Sequence, residues 1–151
     1  MECDSVFSTL FWRGCPIDAA DTIKIMPKPR ILIVDDEPGL IRLLSLNLEK
    51  MDRYEVRTVE DPALVLEAAV NFKPDLLVLD WIMPKITGGE VAEQIRADPR
   101  VRDTPILFFS AFIMKRDGQQ EISGFPAIAK PVGMHELVEA IEEHLQKSER
   151  A

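Results

Sequence analysis

Between residues 29 and 130 three uninterrupted apolar runs stand out, at 31–34, 76–79 and 105–109. Runs of this length without polar alternation suit strands buried on both faces of a sheet. Residues 54–59 alternate instead, as a strand of modest burial does, and residues 127–129 form a brief fifth run. Helical spacing follows each strand. After the first run, Pro38 sits where a first helical turn accepts proline, and Leu40, Leu43, Leu44 and Leu48 make one stripe. Asp61-Pro62 opens a second helix reaching residue 71, and Gly88 and Gly89 precede a third over 90–97. A polar stretch around Gly118 reads as a short, weak fourth helix. Met134, Leu137, Val138, Ile141 and Leu145 share one face of a last helix over 134–147.

Strands alternating with helices predict an α/β domain with a parallel sheet covered on both faces. Right-handed crossovers make it a doubly wound open (βα)5 sheet of five strands, in the flavodoxin-like order 2-1-3-4-5. In such sheets chemistry gathers beyond the carboxyl ends of the strands. The residues there are Asp35 and Asp36 after the first run, Asp80 after the third strand, Ser110 after the fourth and Lys130 after the fifth. Each alone has an ordinary explanation, as a helix cap, an Asx turn or a solvated amine. Their joint arrival at one edge does not.

The first and third strands are neighbours in this order, so their terminal carboxylates converge. Two unit charges roughly 4 Å apart repel by about 4 kcal/mol at an effective dielectric near 20. A hard divalent cation relieves that repulsion. Magnesium fits best, because it binds through one or two carboxylates, keeps waters and leaves positions for phosphate oxygens. With Lys130 as a second positive charge and Ser110 as a hydroxyl donor, the inventory suits phosphoryl transfer. No GxxxxGK[ST] loop is present, so a nucleotide is not cradled in the Walker manner. A carboxylate nucleophile can accept the phosphoryl group as an acyl phosphate.

Composition bounds the reading. A chain of 151 residues with 46% hydrophobic content is one globular domain with a real core. The net charge of -8 is the wrong sign for gripping nucleic acid unaided and suits a cation or a basic partner face. Cys3 and Cys15 both lie in the first fifteen residues and read as reduced thiols. No run is long enough to span a membrane, and Glu2 and Asp4 stand where a signal peptide would be basic, which predicts a cytoplasmic protein. Residues 1–27 differ in texture and read as a flexible extension or a start-site artefact, with 28–148 the domain and 149–151 a tail. His135 and His144 read as solvated surface, and Trp81 as a ring packed on a neighbouring helix.

The ordered set of "ILIV" before Asp35-Asp36, "LLVLDWIMP" around Asp80, "PILFF" before Ser110-Ala111 and "AIAKPV" around Lys130-Pro131 resembles a response-regulator receiver domain over about residues 29–148. The resemblance implies that Asp80 is the phosphoacceptor, working with Ser110 and Lys130. It implies magnesium held by Asp36 directly, by Asp35 through water, by Asp80, and by the backbone carbonyl of Ile82. It also implies a cis Lys130–Pro131 bond. A histidine kinase or histidine phosphotransfer protein would donate the phosphoryl group, and a downstream protein partner would read the result. The last helices and strand would serve as the output face and as a homodimer contact.

The sequence departs from the family at Ala127, where an aromatic commonly stands three residues before the lysine. Phe125 lies two positions earlier. Ile82 and Phe112 occupy positions that, in the family, look towards the acyl phosphate, and both are apolar, which predicts slow self-dephosphorylation. The expectation is thus a single-domain, non-enzymatic regulator. Two other readings compete with it. One is a receiver-like binding or dimerisation module that works without phosphorylation. The other is a haloacid-dehalogenase-like phosphatase, which would need an acid where Ile82 stands.

Overall fold

The computed structural model describes residues 27–111, 120–131 and 133–150. Its strands and helices are β1 (Arg30–Val34), α1 (Pro38–Lys50), β2 (Glu55–Val59), α2 (Val65–Phe72), β3 (Leu76–Asp80), α3 (Gly88–Ala97), β4 (Ile106–Ser110), β5 (Gln120–Ile122), β6 (Phe125–Ala129) and α4 (Met134–Arg150). A short 3-10 turn, Pro62–Leu64, leads into α2, and the Asp61 side chain accepts from the Ala63 N–H to start it.

The sheet order is β2-β1-β3-β4-β6-β5. Pairings β1–β2, β1–β3, β3–β4 and β4–β6 are all parallel, so the predicted order of five parallel strands holds. A sixth strand extends it. β5 pairs antiparallel with β6 through a two-residue turn, Ser123-Gly124, with φ of 52° and 83°. Positive φ at both central positions is what a tight hairpin turn demands, and glycine supplies one of them without strain. The expected fourth helix around Gly118 falls outside the described residues, and where the description resumes the chain is strand.

Alternation along the buried strands splits the core into two layers. Leu32, Val34, Leu77, Leu79, Ile106 and Phe108 face α2 and α3 through Val65, Ala69, Val91 and Ile95. Ile31, Ile33, Leu76, Val78, Leu107 and Phe109 face α1 and α4 through Ile41, Leu44, Leu48, Leu137 and Ile141. β1, β3 and β4 are thus covered on both sides, which is why their sequences read as continuous apolar runs. β2 lies at an edge and is largely exposed, as its alternation implies.

His144 corrects an expectation. It is buried at 6% exposure within α4, and its Nδ1 lies 2.7 Å from the Ala140 carbonyl one turn earlier. A helix that packs on the sheet and continues to Arg150 turns this position inward, and the backbone carbonyl satisfies the ring. His135 is exposed as predicted and sits 3.1 Å from Glu139.

Candidate site at the carboxyl edge of the sheet

β1 delivers its last buried residue, Val34, directly to Asp35, which is itself only 1% exposed. Asp36 follows in solvent. β3 ends on Asp80, 5% exposed, and β4 ends on fully buried Ser110. β6 hands the chain to Lys130, whose backbone N–H bonds the Ser110 carbonyl at 2.9 Å. The Lys130–Pro131 bond is cis, as the resemblance implied.

The lysine ties the edge together. Its Nζ donates to Asp35 Oδ2 at 2.5 Å and lies 3.6 Å from Asp80 Oδ1 and 3.7 Å from Glu37 Oε1. The other oxygen of Asp35 accepts the Glu37 N–H at 2.9 Å, so Asp35 is fixed at both ends. Burial opposes a charged amine, but the Asp35 hydrogen bond and the surrounding carboxylates outweigh it and hold the Lys130 pKa above its ordinary value.

Asp80 is the strained member. Burial and the negative charge of Asp35 push its pKa up to about 6, against the pull of Lys130 and a long 3.4 Å bond from the Ile82 N–H. Asp35, Asp36 and Asp80 each offer an oxygen within 4.8 Å of the others. Of these three, Lys130 faces Asp35 and Asp80, with Glu37 as its other carboxylate neighbour, so the unbalanced charge is negative. An octahedral magnesium shell places opposite oxygens about 4 Å apart, so this donor set fits such an ion through direct and water-mediated contacts. Ile82 turns its side chain outward, at 56% exposure, with its backbone beside Asp80. Phe112 lies outside the described residues.

α3 approaches the site as closely as a helix can. The Gly88 N–H bonds the Trp81 carbonyl at 2.8 Å, and a Cβ on Gly88 would stand 2.3 Å from the Asp80 carbonyl oxygen. Only glycine fits there. Thr87 caps the helix in a reciprocal box with Glu90, fixing where its first turn begins. The Trp81 ring stacks edge to face on Phe108 with centroids 5.0 Å apart and lies over Gly89. It packs on a helix, as expected, and on a strand as well. Ala127 is buried beside Phe108 in the β4–β6 ladder, and Phe125 packs on Phe108 at 5.5 Å. Sequence reasoning left the Phe125 contact unassigned because it depends on the hairpin.

Fold and site together define an open α/β domain with an acidic pocket and a lysine at the carboxyl edge of its sheet. The response regulator receiver domain profile matches residues 31–142, and the chain belongs to that family. It is a receiver domain of the two-component response-regulator type, a signalling domain rather than a conventional enzyme. It is 35% identical over 127 residues to the DNA-binding dual master transcriptional regulator RpaA of Synechocystis, covering 81% of this chain and 51% of that protein. It is 29% identical over 122 residues to the polar-differentiation response regulator DivK of Brucella anthropi, covering 80% and 98%. The CheY-like receiver domain from Methanospirillum hungatei superposes with a TM-score of 0.69 at 24% identity, covering 82% and 98%, a likeness of fold. The chain spans about half the length of several curated relatives it matches. Among the described residues, no helix is long and apolar enough to cross a membrane.

Proposed function

We propose that this chain is a magnesium-dependent phosphoacceptor that takes a phosphoryl group from a phosphohistidine donor onto Asp80. The observation that carries the reading is the charge imbalance around Asp80, where Asp35, Asp36 and Asp80 cluster and one lysine faces Asp35 and Asp80. An ion held by Asp36, Asp80, the Ile82 carbonyl and, through water, Asp35 would neutralise the incoming phosphoryl oxygens. An Asp80 oxygen attacks phosphorus, the bond to the donor nitrogen breaks, and the electron pair leaves with the imidazole. Lys130, already 3.6 Å from Asp80, moves its charge toward the new phosphoryl oxygens, and Ser110 supplies a hydroxyl donor. In this chemistry the protein positions groups and neutralises charge.

A donor needs a surface beside the site. A cleft of about 460 Å³ lined by Leu40, Leu43, Leu44, Phe109, Lys130 and Met134 offers apolar contact there. The output is contact with a protein partner, since 26 acidic against 18 basic residues give the chain the wrong sign for a phosphate backbone. Ile82, apolar and exposed beside Asp80, shields the acyl phosphate from water and makes its hydrolysis slow. Ile82→Asn therefore shortens the lifetime of the adduct, and an unchanged decay rate removes Ile82 from this role.

Ala127 favours a second reading, a partner-binding module that works without phosphorylation, because no aromatic stands there to respond. Incubation with magnesium and acetyl phosphate, followed by intact mass, separates the two. One phosphoryl adduct that disappears in Asp80→Asn supports the acceptor; an unmodified wild-type chain supports the module.

A further inference from the structure

Strand β2 forms one end of the sheet, and among the described residues β1 is its only strand neighbour. Their pairing is continuous from Arg30 with Glu55 to Val34 with Val59, so no bulge interrupts it. The Glu55 N–H donates to the Pro29 carbonyl at 2.9 Å, and the Val59 carbonyl accepts the Asp35 N–H at 3.3 Å. These two bonds fix the phase of the ladder. Glu55, Arg57 and Val59 turn their backbone groups toward β1, and Val56 and Thr58 turn theirs away. Neither Val56 nor Thr58 has a backbone partner on that outer side among the described residues. Proteins ordinarily blunt such an edge with lysine, proline, a bulge or a very short strand. β2 has five residues and none of these devices, whereas β5 at the opposite edge has only three residues.

A cleft of about 420 Å³ is lined by β2 together with the approach to α2 and its first turns. Leu64, 51% exposed, and Ala68 give it apolar surface. Glu60, Asp61 and Glu67 line it as well, against the single guanidinium of Arg57, which stacks 4.5 Å from the Phe72 ring centre. Asp61 is engaged in starting the 3-10 turn, but Glu60 and Glu67 form no ion pair among the described residues. The cleft therefore carries unbalanced negative charge, and charge selects what can occupy it. A second copy of the chain brings the same acids and a net charge of -8. Residues 1–26 carry four acidic side chains against two basic ones, so their sign is wrong too.

We propose that β2 takes up an extended, basic segment of a partner protein as an added strand. The outward N–H and C=O groups of Val56 and Thr58 bond to the segment's backbone. On the side facing α2, lysine or arginine side chains of the segment meet Glu60 and Glu67, and an apolar residue between them covers Leu64. In this mode of recognition main-chain bonds supply affinity, and alternate side chains supply specificity. Binding at this edge is independent of phosphoryl transfer to Asp80.

The test titrates the full, isotope-labelled chain with the peptide acetyl-KTVTKT-amide, whose lysines and valine share one face of a strand. Amide exchange at Val56 and Thr58, followed by NMR, is expected to slow about tenfold at nine-tenths occupancy. The Arg57 amide, which already faces β1, is expected to be unchanged. The acidic counterpart acetyl-ETVTET-amide is expected to bind about tenfold more weakly, and Glu60→Lys combined with Glu67→Lys to reverse that preference. Thr58→Pro removes one outward donor at an edge that tolerates proline, and is expected to abolish the protection. If that variant does not fold, the charge exchange decides. Equal binding of the two peptides, or no slowing at Val56 and Thr58 with millimolar basic peptide, overturns the proposal. Protection of both amides in the chain alone also overturns it. Such protection assigns the edge to residues 1–26 if it is independent of protein concentration, and to a second copy if it rises with concentration.

Discussion

The two ends of the sheet handle charge in opposite ways. At the amino ends of the strands, cations and carboxylates meet near the surface in small local groups: Lys28 with Asp52, Arg30 with Glu55 at 3.7 Å, and Arg53 with Glu142 at 2.5 Å. Glu142 also accepts the Tyr54 hydroxyl, and burial together with that carboxylate pushes the phenol pKa up to about 12. These pairs are largely solvated and contribute little each. At the carboxyl ends three carboxylates cluster; two of them, Asp35 and Asp80, are buried, and both of these face a single lysine. Charge that is matched and wet serves stability. Charge that is buried and in excess costs stability, and its presence points to something the site is built to bind.

Breaking the carboxyl end has the largest consequences. Asp80→Asn is expected to abolish phosphoryl uptake, and Asp36→Asn, at an exposed position, is expected to slow it by about 10²-fold or more, as loss of one electrostatic component does. The rate of adduct formation measured by intact mass checks both.

Magnesium then sharpens the contrast. At about 100 times its dissociation constant, a ligand selective for the folded state adds about 2.7 kcal/mol. Urea unfolding with and without magnesium is expected to show a gain approaching this in the wild type and little in Asp36→Asn. Variants confined to the amino end leave the gain intact.

A smaller effect follows from the Asp80 pKa of about 6, raised from 3.8. The folded state holds this proton more tightly than the unfolded chain, so the metal-free protein loses stability as pH rises from about 4 through about 6. Asp80→Asn removes that component. At pH 7 without magnesium it is expected to be more stable than the wild type by about 1–2 kcal/mol, after discounting for the residual solvation of the site. The difference between the two stability–pH profiles isolates this group from the other carboxylates.

The smallest effect belongs to the amino end. Glu142→Gln weakens the contacts to Arg53 and Tyr54 and is expected to cost about 1 kcal/mol, with adduct formation unchanged. A Glu142→Gln variant that loses phosphoryl uptake would erase the distinction between the two ends.

Most of this architecture was legible in the sequence because period and punctuation agree with the fold. The runs at 31–34, 76–79 and 105–109 are apolar on both faces, and the polar residue that ends each parallel strand marks the functional edge. What escaped depends on tertiary context. Gln120–Ile122 is too short and polar to announce a strand, and its pairing depends on Phe125–Ala129 and on positive φ at Ser123, a residue that does not favour it. His144 looked solvated because its polarity disguises an inward position that the Ala140 carbonyl satisfies. Trp81 had no reading in chemistry because its role is to touch Phe108.

On the phosphoacceptor proposal, the excess of buried carboxylate at the carboxyl edge exists to place a phosphoryl group on one atom of one residue. The most direct measurement is borohydride reduction of the protein after reaction with acetyl phosphate and magnesium, followed by peptide mapping. Reductive conversion of Asp80 to homoserine, dependent on magnesium and confined to the peptide containing "LLVLDW", is the predicted result. Reduction at Asp35 or Asp36 instead, or at no residue, would contradict it.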